Sequence, residues 1–191
     1  MKRVCVFAGS SPGSRPEYAA AARALAVELV RRGLGVVYGG GSVGLMGVLA
    51  DTALGAGGEV IGVIPQGLAS RELAHAGLTE LRVVASMHER KALMADLVDG
   101  FIALPGGLGT FEETLEVLTW SQLGIHRKPV GVLNVAGYYE GLRRVIAHAG
   151  AEGFVRPEYL ALLLFEEEPP ALLDAFSAWQ PPPIPRAWVG V

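Results

Sequence analysis

Two short stretches hold the residue types from which a reactive site is built. Met87-His88-Glu89-Arg90-Lys91 sets two cations side by side, and Pro105-Gly106-Gly107-Leu108-Gly109-Thr110-Phe111-Glu112-Glu113 ends on two adjacent carboxylates. Each follows an apolar run and precedes a helical pattern, so each reads as the turn from a strand into a helix. Glycine-rich turns of this kind hold phosphate, because the N–H groups that open a helix converge on an anion. Yet the lysine of a P-loop is missing from the second stretch, and its carboxylates stand where a phosphate's charge would be expected. Arg90 and Lys91, in the first turns of their helix, oppose the macrodipole at about 0.3–1 kcal/mol each when exposed. A bound anion removes that cost; so does a salt bridge to a nearby acid.

Local pattern offers quieter roles for some of these groups. Ser86-x-x-Glu89 is a capping box, which makes Glu89 a structural residue, and Thr110-x-x-Glu113 reads as a second one. Set against that role for Glu113 is a chemical one: a helix start favours the ionised carboxylate and lowers its pKa, so the group would act as a base or stabilise positive charge, not donate a proton. Gly39, Gly41 and Gly44 fit G-x-G-x-x-G but follow the second apolar run, and the residue about 20 positions on, Glu59, opens the next strand instead of ending it, so a dinucleotide's ribose lacks its usual partner. His75, His88, His126 and His148 show no zinc spacing. No metal and no cofactor is expected.

The elements that must position these residues follow from an alternation of Val/Ile-rich runs with amphipathic ones. The runs fall at 3–9, 34–40, 59–65, 81–85, 100–106 and 128–135, and helices are expected over 16–32, 43–54, 87–98, 110–123, 138–152 and 171–179. The fold class that results is α/β, a doubly wound, mostly parallel sheet with helices on both faces, Rossmann-like. Ligands of such sheets bind beyond the carboxyl ends of the strands, where Gly- and Ser-rich loops are concentrated in this chain. With 191 residues, 51% of them hydrophobic, the chain suits one domain, residues 1–180, followed by a proline-rich arm, 181–191. The helix from Thr110 to Leu123 is apolar on more than one face, which calls for a second subunit or a neighbouring helix to cover it. A net charge of −3 with scattered basic residues argues against nucleic acid and membrane partners. The single cysteine, Cys5, and the absence of a signal-peptide pattern or an apolar run of spanning length point to the cytoplasm.

The two charged stretches also carry a resemblance. Met87 to Lys91 looks like M-H-x-R-K, and Pro105 to Glu113 fits P-G-G-x-G-T-x-x-E in full; together they are similar to the LONELY GUY (LOG) family, long labelled possible lysine decarboxylases. The similarity runs from the Gly9-Ser10-Ser11 loop to the Tyr138-Tyr139 pair. It implies a phosphoribohydrolase that cuts the N-glycosidic bond of a nucleoside 5′-monophosphate, a cytokinin riboside monophosphate or AMP, to free base and ribose 5-phosphate. It implies Arg90 and Glu113 as the catalytic pair, and Glu72, Met87, Arg90, Lys91, Gly106, Gly107, Leu108, Gly109, Thr110, Phe111, Glu112 and Thr119 as substrate contacts. Around Glu72 the sequence departs from the family, with Ser70 in place of a usual proline and divergence from Ala74 to Leu81. The resemblance further implies a homodimer or larger homo-oligomer with its site near the subunit interface. The alternative is a non-catalytic nucleotide or molybdenum-cofactor carrier, since relatives with similar sheets act as carriers.

Overall fold

The computed structural model describes residues 1–69 and 74–182. Glu72 and most of the proline-rich arm lie outside the described residues. Seven strands form one sheet: β1 (Arg3–Phe7), β2 (Gly35–Tyr38), β3 (Val60–Pro65), β4 (Glu80–Val84), β5 (Phe101–Ala103), β6 (Val130–Leu133) and β7 (Leu163–Glu166). Their order is β4-β3-β2-β1-β5-β6-β7, and every neighbouring pair is parallel. The helices are α1 (Pro16–Arg31), α2 (Gly44–Gly55), the short α3 (Gln66–Ala69), α4 (Met87–Asp96), α5 (Leu108–Gln122), α6 (Glu140–Ala151), the short α7 (Pro157–Leu160) and α8 (Pro169–Ala178), with a 3₁₀ turn at Val135–Gly137.

Parallel strands must be covered on both faces, and β1, β2, β3 and β6 are accordingly Val- and Ile-rich and buried apart from Arg3. Ala22, Leu25, Ala26 and Leu29 of α1 pack with Leu45 and Leu49 of α2 and Leu172 and Phe176 of α8 on one face. Met94 of α4, Val117 of α5 and Tyr139 are buried on the other. At one edge, β4 is largely exposed and carries an Arg82–Glu80 ion pair, a charged edge of the kind that discourages pairing with another sheet.

Six strands fall where the apolar runs place them; β7 was not expected. Helix α5 starts two residues earlier than the pattern suggests, and α6 starts at Glu140, after the 3₁₀ turn. None of the described helices is long and apolar enough to cross a membrane.

The strand order reverses between β1 and β5, so the loops that follow these two strands meet at the topological switch point. Gly9 N–H donates to Pro105 O at 3.1 Å, tying the loops together. The first amides of α2, Leu45 and Met46, donate to Gly9 O at 2.9 and 3.3 Å. The start of α2 is thereby occupied by protein, not offered to a ligand.

Gly44 shows why that junction needs glycine. Its φ is +61°, and a Cβ there would collide with the backbone of Ser10 and Ser11. We expect Gly44→Ala to lower stability by at least ~1–3 kcal/mol, the range for a strained left-handed residue, seen as a lower urea midpoint at unchanged m-value; an unshifted midpoint would show that the loop yields without cost.

Candidate active site

Helix α5 opens the site. Its N-cap is Gly107, which has no side chain to cap with, and Leu108 and Gly109 in the first turn are exposed. The first N–H groups of a helix have no acceptor within it, so this end presents donors and the positive end of the macrodipole to solvent. Behind it Thr110 is buried, and a Cβ on Gly106 would collide with the Thr110 hydroxyl. Beside the turn, Gly9, Ser10, Ser11, Tyr18, Gly106 and Tyr138 help to line a cleft of about 200 Å³ at the switch point. Tyr138 closes one wall by donating its hydroxyl to Gly106 O.

Because α5 begins at Leu108, Thr110 sits inside the first turn and cannot cap it. The second capping box is therefore overturned. Glu113 instead turns inward and accepts a hydrogen bond from Arg90 Nη1 at 2.9 Å, with both side chains 11% exposed. Arg90 comes from the first turn of α4, whose start behaves as the sequence suggests: Ser86 Oγ accepts from Glu89 N–H at 3.1 Å, while the Glu89 carboxylate accepts from Ala85 N–H at 2.7 Å. Arg90 Nε donates to Val63 O at 3.1 Å. Gly39 supplies the remaining space, since a Cβ there would run into Arg90 Nη2. In this fold the glycine of the dinucleotide-like pattern seats a guanidinium.

The electrostatics correct a second expectation. Burial pushes the Glu113 carboxyl above its ordinary 4.5; Arg90 pulls it back, Glu112 adds to the rise, and the net direction is upward. The helix-start effect, which would lower it, loses to desolvation. Lys91 is also paired, to Glu112 at 2.6 Å and to Glu116 at 2.9 Å. Burial lowers its pKa, the two carboxylates outweigh that, and the result is a rise. With both cations of α4 already matched by carboxylates of α5, their opposition to the macrodipole no longer calls for an external anion.

The remaining sequence candidates divide. Met87 lies next to the pair, its Sδ 4.0 Å from Arg90 Nη1. Phe111 stacks on Tyr138 at 6.2 Å and meets Tyr139 edge-on at 6.1 Å, so it supports the cleft wall. Glu112 is half-exposed and engaged with Lys91. Thr119 is exposed, its hydroxyl bonded to Leu115 O at 2.7 Å, and sits about 9 Å along the axis from Glu113 at 1.5 Å per residue. It is not brought to the pair within one chain. Tyr138, Tyr18 and Gly39 were not among the expected site residues; only tertiary packing reveals them.

Helix α5 also leaves apolar surface uncovered, with Leu108 87%, Leu115 40% and Leu123 36% exposed. No neighbouring helix among the described residues covers that face.

Residues 46–176, more than half of the chain, match the family described as "Possible lysine decarboxylase". Over 182 residues the chain is 53% identical to the probable cytokinin riboside 5′-monophosphate phosphoribohydrolase LOGL5 of Oryza sativa subsp. japonica, covering 95% of this chain and 74% of that protein. It is 50% identical over 180 residues to the Arabidopsis thaliana enzyme LOG7, covering 94% and 83%.

The chain belongs to the LOG family.

Among solved structures, this LOG-family chain is similar in fold to the molybdenum cofactor carrier protein of Chlamydomonas reinhardtii, with a TM-score of 0.69 at 19% identity over 93% of this chain and 96% of that one. The molybdenum cofactor binding protein of Rippkaea orientalis gives 0.68 at 20% identity over 93% and 97%.

Removing Arg90 from the LOG-family chain strands a buried carboxylate. Arg90→Met is expected to cost about 3–5 kcal/mol at pH 7, as for one partner of a buried pair. The sign with pH follows from linkage. A carboxyl whose folded pKa lies above its unfolded value binds more protons when folded, so stability is recovered as pH falls through the folded pKa toward 4.5 and is lost as pH rises. Urea unfolding at pH 7 and pH 5 checks this: the deficit should shrink at pH 5, and an equal or larger deficit there would contradict it.

Proposed function

We propose that this protein is a phosphoribohydrolase that cleaves the N-glycosidic bond of a nucleoside 5′-monophosphate, a cytokinin riboside monophosphate or AMP, to free base and ribose 5-phosphate. The observation that carries the reading is the buried Arg90–Glu113 pair beside an uncapped, glycine-rich helix start. Breaking the bond builds positive charge on C1′ and the ring oxygen, as in other glycosyl transfers. A carboxylate stabilises that charge and takes a proton from the attacking water; the water's oxygen joins C1′ as the bond to the base breaks, and the base leaves with the bonding electrons and takes up a proton from solvent.

A buried carboxyl drifts toward its neutral form, which can do neither. Arg90 opposes that drift, pulling the carboxyl back toward its ionised form. A guanidinium holds its charge across working pH, so Arg90 is no proton donor; it orients Glu113 and is placed to meet a developing negative charge. The open start of α5, Gly107 to Thr110, takes the 5′-phosphate through backbone N–H groups. Glu72, Met87, Lys91, Phe111, Glu112 and Thr119 complete the contacts in this reading. The exposed apolar face of α5 packs on a second copy, giving a homodimer or larger assembly that brings Thr119 near a neighbouring site. The compartment in this reading is the cytoplasm.

The family's older label would require a lysine that forms a Schiff base, and such lysines have a depressed pKa. Lys91 is held by two carboxylates with its pKa raised, and Lys128 donates to Ala95 O at 2.7 Å. Neither environment prepares a nucleophilic amine.

Incubation with AMP and with isopentenyladenosine monophosphate tests the reading. Free base should appear, and Glu113→Gln should cut its release by about 10²-fold or more. The kcat/KM profile should show an acid limb above 4.5, the side to which burial moves Glu113. Binding without release would favour the carrier instead. Sedimentation should show a dimer or larger species; a monomer with full activity would contradict the assembly.

A further inference from the structure

Outside the pair itself, one group of contacts converges on Arg90 from the segment that leads into β4. His75 Nε2 lies 2.8 Å from Asp51 Oδ1 on α2, while Gly77 N–H donates to His75 Nδ1 at 3.1 Å. With Nδ1 accepting, the ring proton sits on Nε2 and is directed at Asp51. The backbone of the same segment grips the turn after β2. His75 N–H donates to Gly40 O at 3.0 Å, and Ala74 pairs with Gly41 in an antiparallel bridge. That turn passes over β3, with Gly40 at φ +80° against Val63 and Ile64. Gly39, its first residue, abuts the guanidinium of Arg90, which Val63 O holds on another side and Glu113 on a third.

We infer that His75 is a positioning residue: through Asp51 it fixes the 39–41 turn against Arg90 and so holds the guanidinium where it meets Glu113. This rests on reading Glu113 as the reacting carboxylate. Asp51 is 71% exposed on its side chain, and a contact with so exposed and solvated a group contributes little stability. A merely structural His75–Asp51 contact therefore predicts variants with near-normal chemistry, whereas a positioning contact changes the site without unfolding it.

The test compares His75→Ala, Asp51→Ala and His75→Gln, the last keeping an N–H that reaches Asp51. Two readouts are taken: the ¹³C titration of the Glu113 carboxyl, and kcat and KM for AMP. The charged and titratable groups that face Glu113 are Arg90 and Lys91 of α4, Glu112 of its own helix and the Cys5 thiol of β1. Of these, Arg90 is the one against the 39–41 turn. A loosened Arg90 offsets less of the burial, so the Glu113 midpoint should rise by ~1 unit in both alanine variants, the low end of what an adjacent opposite charge contributes. In the same variants kcat should fall about 10- to 100-fold, the scale of a small misplacement of a reacting group, with KM changed less. His75→Gln should restore both.

Wild-type midpoints and rates in folded His75→Ala and Asp51→Ala would overturn the inference. Asp51→Ala alters an exposed side chain and keeps the test alive if His75→Ala does not fold. If the wild type releases no base but the midpoint still rises in the variants, positioning stands and the hydrolase reading fails. If base is released and the midpoint does not move, the positioning fails and the hydrolase reading stands.

Discussion

The site depends on one buried ion pair. Glu113 and Arg90 lie on helices that follow different strands, and they meet beside the turn after β2 and the Val63 carbonyl of β3, where both are largely shielded from water. Burying either charge alone would be expensive, and a lone carboxyl in that position would take up a proton. Paired, each charge offsets part of the other's cost of burial. A pair of this kind adds little to stability compared with well-packed apolar residues, so its presence is better explained by what it does than by what it holds together. In the proposed reaction its part is to hold a carboxylate in a weakly polar environment, where a charge acts on a nearby cationic centre far more strongly than in water.

The glycines around the pair do three separate jobs. Gly9, Gly44 and Gly106 let the loops after β1 and β5 and the start of α2 lie against each other, which builds the switch-point cleft. Gly39 makes room for Arg90. Gly107 leaves α5 without a side-chain cap, so that its first amides face outward, while those of α2 are taken up by Gly9 O. Two glycine-rich helix starts therefore differ in kind: one is closed by protein and one is open to an anion.

Much of the fold was legible because parallel strands buried on both faces read as apolar runs, and such runs mark six of the seven strands. β7 escaped because Leu163, Leu164 and Phe165 make a short run without β-branched residues, followed at once by three glutamates. Both charged stretches were visible as helix starts, but the partners of their charges were not. Arg90 and Glu113 are 23 residues apart on separate helices, and nothing in local spacing says that they touch. The same gap explains two reversals. The Glu113 capping role and lowered pKa were local arguments: α5 starts at Leu108 and takes Thr110 inside the helix, and burial raises the pKa. The unmatched cations of α4 were unmatched only within their own helix.

The account stands or falls on where the Glu113 carboxylate lies relative to the pentose. A crystal structure of the slow Glu113→Gln variant with AMP bound tests this most directly. The account predicts the 5′-phosphate on the amides that open α5 and the side chain at position 113 in contact with C1′ or the ring oxygen. A pentose bound elsewhere, with that side chain still turned wholly to Arg90, would contradict it.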